Sequence, residues 1–241
     1  LHVRSRRQRQ MCIRDRLMSY NIETAQSNLD RGRYEAAFDM FMDLAQNELN
    51  ADAQYALVKM CFDGHIDVHQ VQKLFEWLNR ETSLGNGYSF FNIGLMYERG
   101  LGSIKKDLKI AVEYYEKAID NEVIDAYCNL GNIYTGVMGL HPEIQVDIPK
   151  GMALLNKGAM LGSRQAAYTL GCIYEKGEIV ELDHYRAFFY LTLGTLAKHD
   201  QAHRCLILLQ HAVKKDFKAQ FEEAERVYWN IEGMRKLYRL L

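Results

Sequence analysis

Proline, long apolar runs and organised cysteine are scarce in this 241-residue chain. Two prolines, Pro142 and Pro149, are too few for a proline-rich linker, and no Gly/Ser-rich stretch divides the sequence. No run reaches the roughly 18 apolar residues that a membrane-spanning helix requires, so no membrane partner is expected. The five cysteines, Cys12, Cys61, Cys128, Cys172 and Cys205, have neither C-x-x-C spacing nor histidines at the separations of a zinc site. They read as reduced thiols of a cytoplasmic protein, with no metal and no cofactor expected. His199, His203, Cys205 and His211 look ligand-like on paper. Asp200, however, is expected to cap a helix there, which leaves His199 outside the turn and no third ligand in register. A glycine-rich phosphate loop, a nucleophile elbow and a supported Ser/His/Asp set are all missing, so no catalytic residue and no small-molecule substrate are expected.

What is present is an ordinary globular composition, 48% hydrophobic and 25% charged. Charge is uneven. Residues 1–17 hold six arginines against Asp15, a net +5, which leaves −6 for the remainder of a chain whose total is −1. Such an arm could neutralise phosphates or act as an address. Its core, "RRQRQMCIRDR" (residues 6–16), back-translates codon for codon into the transposase adapter of sequencing libraries. Residues 1–17 are therefore read as a non-native, adapter-derived scar, expected to be disordered and kept out of fold reasoning. The native frame is expected to open near Met18. Without the arm, nothing favours nucleic acid as a partner.

Self-similarity carries the most information. "ADAQYALVKMCFDG" (51–64), "GYSFFNIGLMYERG" (87–100), "IDAYCNLGNIYTGV" (124–137) and "RQAAYTLGCIYEKG" (164–177) align on one pattern. A small residue (Ala53, Ser89, Ala126, Ala166) stands five before a second mostly small position (Val58, Gly94, Gly131, Gly171), itself preceded by Leu or Ile. Tyr97, Tyr134 and Tyr174 follow three later, and a glycine closes each copy. The second halves, 107–122, 147–162 and 183–197, open on Asp107, Asp147 and Asp183 as N-caps. Each then places small and aromatic or leucine positions at helical spacing. The stretch 70–85 is a looser copy with Gln70 where the aspartate is expected. A period of this length is the signature of stacked helix pairs.

On these motifs, above all "LGNIYTG" with "DIPKGMALLNKGAMLG" and "IGLMYERGLGSIKKDLKIAVEYYEKAIDNE", the chain resembles the Sel-one-like (Sel1-like) repeat family, a relative of the tetratricopeptide repeats. The resemblance covers about residues 51–197. It implies an all-α fold, a right-handed α-solenoid of stacked antiparallel helix pairs. The expected organisation is a tetratricopeptide-like pair over 18–50, Sel1-like repeats over 51–198, and a degenerate repeat with a capping helix over 199–241.

Helices of some three turns are marginal alone in water, so such pairs persist only by burying a face on one another. The resemblance also implies a non-enzymatic protein–protein interaction scaffold, whose concave row of first helices grips a peptide or partner segment. By tetratricopeptide geometry the groove positions lie three and two before the anchor and one and four after it. These are Tyr55, Lys59, Phe91, Asn92, Glu98, Asn129, Asn132, Tyr168, Thr169 and Glu175. The alternative is a secreted effector or a β-lactamase-like enzyme of the cysteine-rich, secreted branch of the family, to which such an activity is attributed. That branch carries a disulfide in each repeat, whereas the cysteines here stand at different repeat positions, with Ile207 taken as the anchor nearest Cys205.

Overall fold

The computed structural model describes residues 21–48, 50–139, 142–213 and 216–238, and every regular element among them is an α-helix. The adapter-like segment 1–17 lies outside the described residues. The chain divides into two compact units, the first ending at Ala111 and the second starting at Val112. The first contains α1 (Ile22–Asp30), α2 (Tyr34–Glu48), α3 (Ala51–Phe62), α4 (Val68–Ser83) and α5 (Gly87–Arg99). Helix α6 (Leu108–Asp120) carries the chain into the second unit. There follow α7 (Ile124–Thr135), α8 (Ile148–Met160), α9 (Arg164–Lys176), α10 (His184–Leu196), α11 (Asp200–Ala212) and α12 (Lys218–Tyr238).

Side-chain caps set most starts. Asn21, Asn50, Asn86 and Ser163 each accept an N–H from the first turn of the helix that follows. Asp107, Asp147 and Asp183 do the same, as their spacing predicts. The loose copy differs from expectation. Asp67 is the cap of α4, and Gln70 answers it by accepting the Asp67 N–H at 3.0 Å, a capping box. Gln70 therefore replaces nothing; the cap lies three residues earlier. At the other ends Gly136 and Gly177 adopt φ of +67° and +68°, a left-handed turn that a Cβ would strain.

One backbone hydrogen bond recurs and closes the pairs. The N–H of the capping aspartate donates to the carbonyl of the tyrosine that recurs three after the anchor: Asp107 to Tyr97 at 2.9 Å, Asp147 to Tyr134 at 2.9 Å, Asp183 to Tyr174 at 3.0 Å. In the second unit a cation from the next helix's first turn also crosses back to the same tyrosine ring. Lys150 Nζ donates to the Tyr134 hydroxyl at 2.8 Å, and Arg186 Nη1 to the Tyr174 hydroxyl at 3.2 Å.

The small positions are where helices touch. Ala53, Ser89, Ala126 and Ala166 are fully buried. A Cβ on Gly131 would stand 2.7 Å from Leu155 Cγ, and one on Gly171 would stand 2.7 Å from Leu191. Each leucine, the second residue of the paired position in the following helix, is completely buried in that contact. A helix-interior glycine costs about 1 kcal/mol relative to alanine. Burying a leucine side chain contributes about 1.5–3 kcal/mol, which offsets it.

Helix α12 lies along α10. Its Ala224, Val227 and Tyr228 join the core formed by Leu155 and Ala159 of α8, Ala167 and Leu170 of α9 and Leu193 of α10. Phe217, just before it, stacks on Phe188 at 4.3 Å between ring centres. The outer side of α11 stays bare, with Ile207 and Leu208 40% and 64% exposed. Ile207 is thus no buried anchor. In α11 the buried stripe is Ala202, Leu206 and Leu209.

Candidate partner-binding face

Helix α3 sorts its residues sharply. Ala53, Gln54, Leu57, Val58, Met60 and Cys61 are buried, while Tyr55, Lys59 and Phe62 lie outward at positions four and then three apart. Tyr55 is 56% exposed. Lys59 forms an ion pair with Asp63 at 2.7 Å, which holds the ammonium above its ordinary pKa and the carboxyl below its own. Phe62 carries the Arg99 guanidinium over its ring at 5.7 Å. Two aromatic rings and two charges thus share one side of the first unit. Glu98, beside Arg99 at 3.5 Å, is half-buried.

Three expected groove residues are not on a face at all. Asn92 is 1% exposed, and Phe91 and Thr169 are 8% exposed. The physical reason is the width of the buried arc. In α5 Ser89, Phe91, Asn92, Ile93, Gly94 and Met96 are all covered, because an inner helix of a stack has neighbours on more than one side. The Asn92 side-chain oxygen finds no hydrogen-bond partner among the described residues.

In the second unit three of the expected residues are engaged with neighbouring side chains. Asn129 Nδ2 donates to the Tyr115 hydroxyl at 3.1 Å, and Asn132 Nδ2 to Cys128 Sγ at 3.7 Å. Tyr168 stacks on His199 with ring centres 4.5 Å apart. His199, not Asp200, is the N-cap of α11. Its Nδ1 accepts the Ala202 N–H at 3.2 Å, and its Nε2 pairs with Gln165 Oε1 at 2.9 Å.

Sequence reasoning missed one grouping. Cys172 and Glu175 of α9 and Cys205 of α11 bring their two sulfurs and a carboxylate oxygen within 4.8 Å of one another, all half-buried. Cys172 above all, then burial, then Cys205, raise the pKa of the neighbouring Tyr168 hydroxyl. Burial pushes the Cys172 thiol up to about 11. Nothing in the linear spacing of these residues signals this; only the side-by-side packing of α9 and α11 does. Cys61 is different, a core thiol donating to the Leu57 carbonyl at 3.3 Å and pushed up to about 12 by burial.

The repeats are matched by comparison with known sequences. The profile of the Sel1 repeat fits residues 91–123, 124–163 and 164–199. Residues 91–199 are Sel1 repeats. A curated relative, chitin synthase regulator SKT5 of Saccharomyces cerevisiae, is 29% identical over 134 residues, covering 55% of this chain and 19% of that protein. The chain therefore spans about a fifth of the relative's length. Among solved structures, the Sel1 repeat protein from Oxalobacter formigenes matches with a TM-score of 0.56 at 21% identity, over 87% of this chain and 84% of that one. That likeness shows the fold, an all-α repeat architecture. No helix among the described residues is long and apolar enough to cross a membrane.

Proposed function

We propose that the chain is a non-enzymatic scaffold that holds a protein partner, as a peptide or exposed segment, against its first helices. The observation that carries this reading is the outward stripe Tyr55, Lys59 and Phe62. Large aromatics left in water beside fixed charges are the residue types that dominate interface energetics. Sel1 repeats are helical scaffolds typical of protein–protein interaction, and the yeast relative is named a regulator, which supports control of another protein over catalysis. Within the first unit the contacting residues are Tyr55, Lys59, Phe62 and Glu98. Within the second, Asn129, Asn132, Tyr168 and Glu175 line the equivalent helices. Phe91, Asn92 and Thr169 act as core. The reading places the protein in a reducing, cytoplasmic setting, which cysteines at different repeat positions and without C-x-x-C spacing favour.

The test is a comparison of captured proteins between the wild type and a Tyr55→Ala/Phe62→Ala variant that melts at the same temperature. A partner recovered by the wild type should bind the variant at least about tenfold more weakly, the loss of one hot spot. Equal recovery of every captured protein would overturn the assignment of this face.

A further inference from the structure

We propose that Cys172, Cys205 and Glu175 bind a thiophilic divalent cation of the zinc type, clamping α9 to α11. Three donor atoms of the right kinds already converge, two sulfurs and a carboxylate oxygen mutually within 4.8 Å. A tetrahedral zinc ion sits about 2.3 Å from sulfur and about 2.0–2.2 Å from carboxylate oxygen, which sets its ligands roughly 3.5–3.8 Å apart. Cys172 and Glu175 are one helical turn apart on α9, so both point to the same side. Cys205 answers from the next first helix in the chain, α11, and rigid helices fix such a set better than loops do.

The carboxylate is what separates this cluster from two other readings. Two buried thiols that merely fill space need no acid beside them. A pair poised to form a disulfide is hindered by a neighbouring negative charge, which disfavours the attacking thiolate. Two sulfurs and a carboxylate are all accommodated at once by a cation. Tyr168 couples to both cysteines, as outer partners do around metal ligands. Half-burial of all three ligands leaves a path for the ion and a fourth position for water. The consequence is a pinned junction between two first helices, and it holds whichever partner the repeats grip.

The full chain, reduced and stripped with a chelator, is titrated with Co²⁺ alone and then with Zn²⁺. One cobalt ion per chain should bind and give a thiolate-to-metal charge-transfer band that zinc bleaches. Cys172→Ser and Cys205→Ser should each abolish that band and weaken zinc binding at least tenfold. Glu175→Gln, which preserves shape at a half-exposed position, should keep the fold by circular dichroism and also weaken zinc at least tenfold. Cys61→Ser and Cys128→Ser should titrate like the wild type. The proposal is overturned by the absence of a cobalt–thiolate band. It is equally overturned by a band that survives both Cys172→Ser and Cys205→Ser, or by zinc affinity that Glu175→Gln leaves unchanged.

Discussion

His199 shows how a single side chain can be read wrongly from spacing and rightly from geometry. In the sequence it stands one before Asp200, the expected cap, and so is expected to lie outside the turn. In the fold it caps α11, and because Nδ1 accepts the Ala202 N–H, the ring proton sits on Nε2 and is donated to Gln165. Only the neutral imidazole can do both. Burial lowers its pKa, with Arg164 acting in the same direction and Asp200 opposing. The unfolded chain therefore takes up this proton near pH 6.5 and the folded chain only at lower pH. Between those values the unfolded state holds more protons. The cap's contribution is present in full above about pH 6.5 and is lost as pH falls through that window. His199→Asn keeps a capping oxygen and removes the titration. Thermal melts from pH 7.5 to 5 should show the wild type losing stability relative to this variant, and parallel profiles would refute the assignment. The neighbouring Asp200 looked like the better cap because aspartate is the commoner one. The helix begins at Asp200 itself, one residue earlier than that choice requires.

At the scale of elements, the helix pairs were legible because each small residue answers a specific neighbour. Gly131 and Gly151 face each other across α7 and α8. A Cβ on Gly151 would stand 2.8 Å from the Thr135 nitrogen and 2.9 Å from the Gly131 oxygen. Those are backbone atoms of a helix and cannot rotate away. Gly151→Ala should gain about 1 kcal/mol of helix propensity and still lose overall, with a net destabilisation of about 1–3 kcal/mol by urea unfolding. A neutral or stabilising result would mean the helices can separate without cost. Gly131→Leu, which drives a side chain into Leu155, should destabilise by a similar ~1–3 kcal/mol. The same logic explains where the pattern faded. Ile207 occupies the anchor's place in the count but lies exposed, since none of the described helices covers that side of α11.

Over the whole molecule, periodicity revealed which helices exist and which positions pack, but not which side chains remain in water. Phe91, Asn92 and Thr169 occupy groove positions by analogy with an ideal repeat, yet their helices are covered over a wider arc than that analogy allows. Cys172, Glu175 and Cys205 were invisible for the opposite reason: their proximity is a product of packing between α9 and α11, and no local spacing encodes it. Helix α12 illustrates both points. Its sequence suggested an end cap, and its apolar residues do close a core, but that core is the row formed by α8, α9 and α10. Phe217 is stacked on Phe188, and Ala224 is fully buried. Phe217→Ala should therefore cost about 3–5 kcal/mol, as deletion of a buried phenyl ring does. A chain ending at Val213 loses Ala224, Val227 and Tyr228 as well, leaving Phe188 and Leu193 facing water. An apolar strip of that kind recruits other copies. The shortened chain should melt at a lower temperature and elute as aggregates in size-exclusion chromatography. If it elutes as a single species with an unchanged melting temperature, α12 is not part of the core.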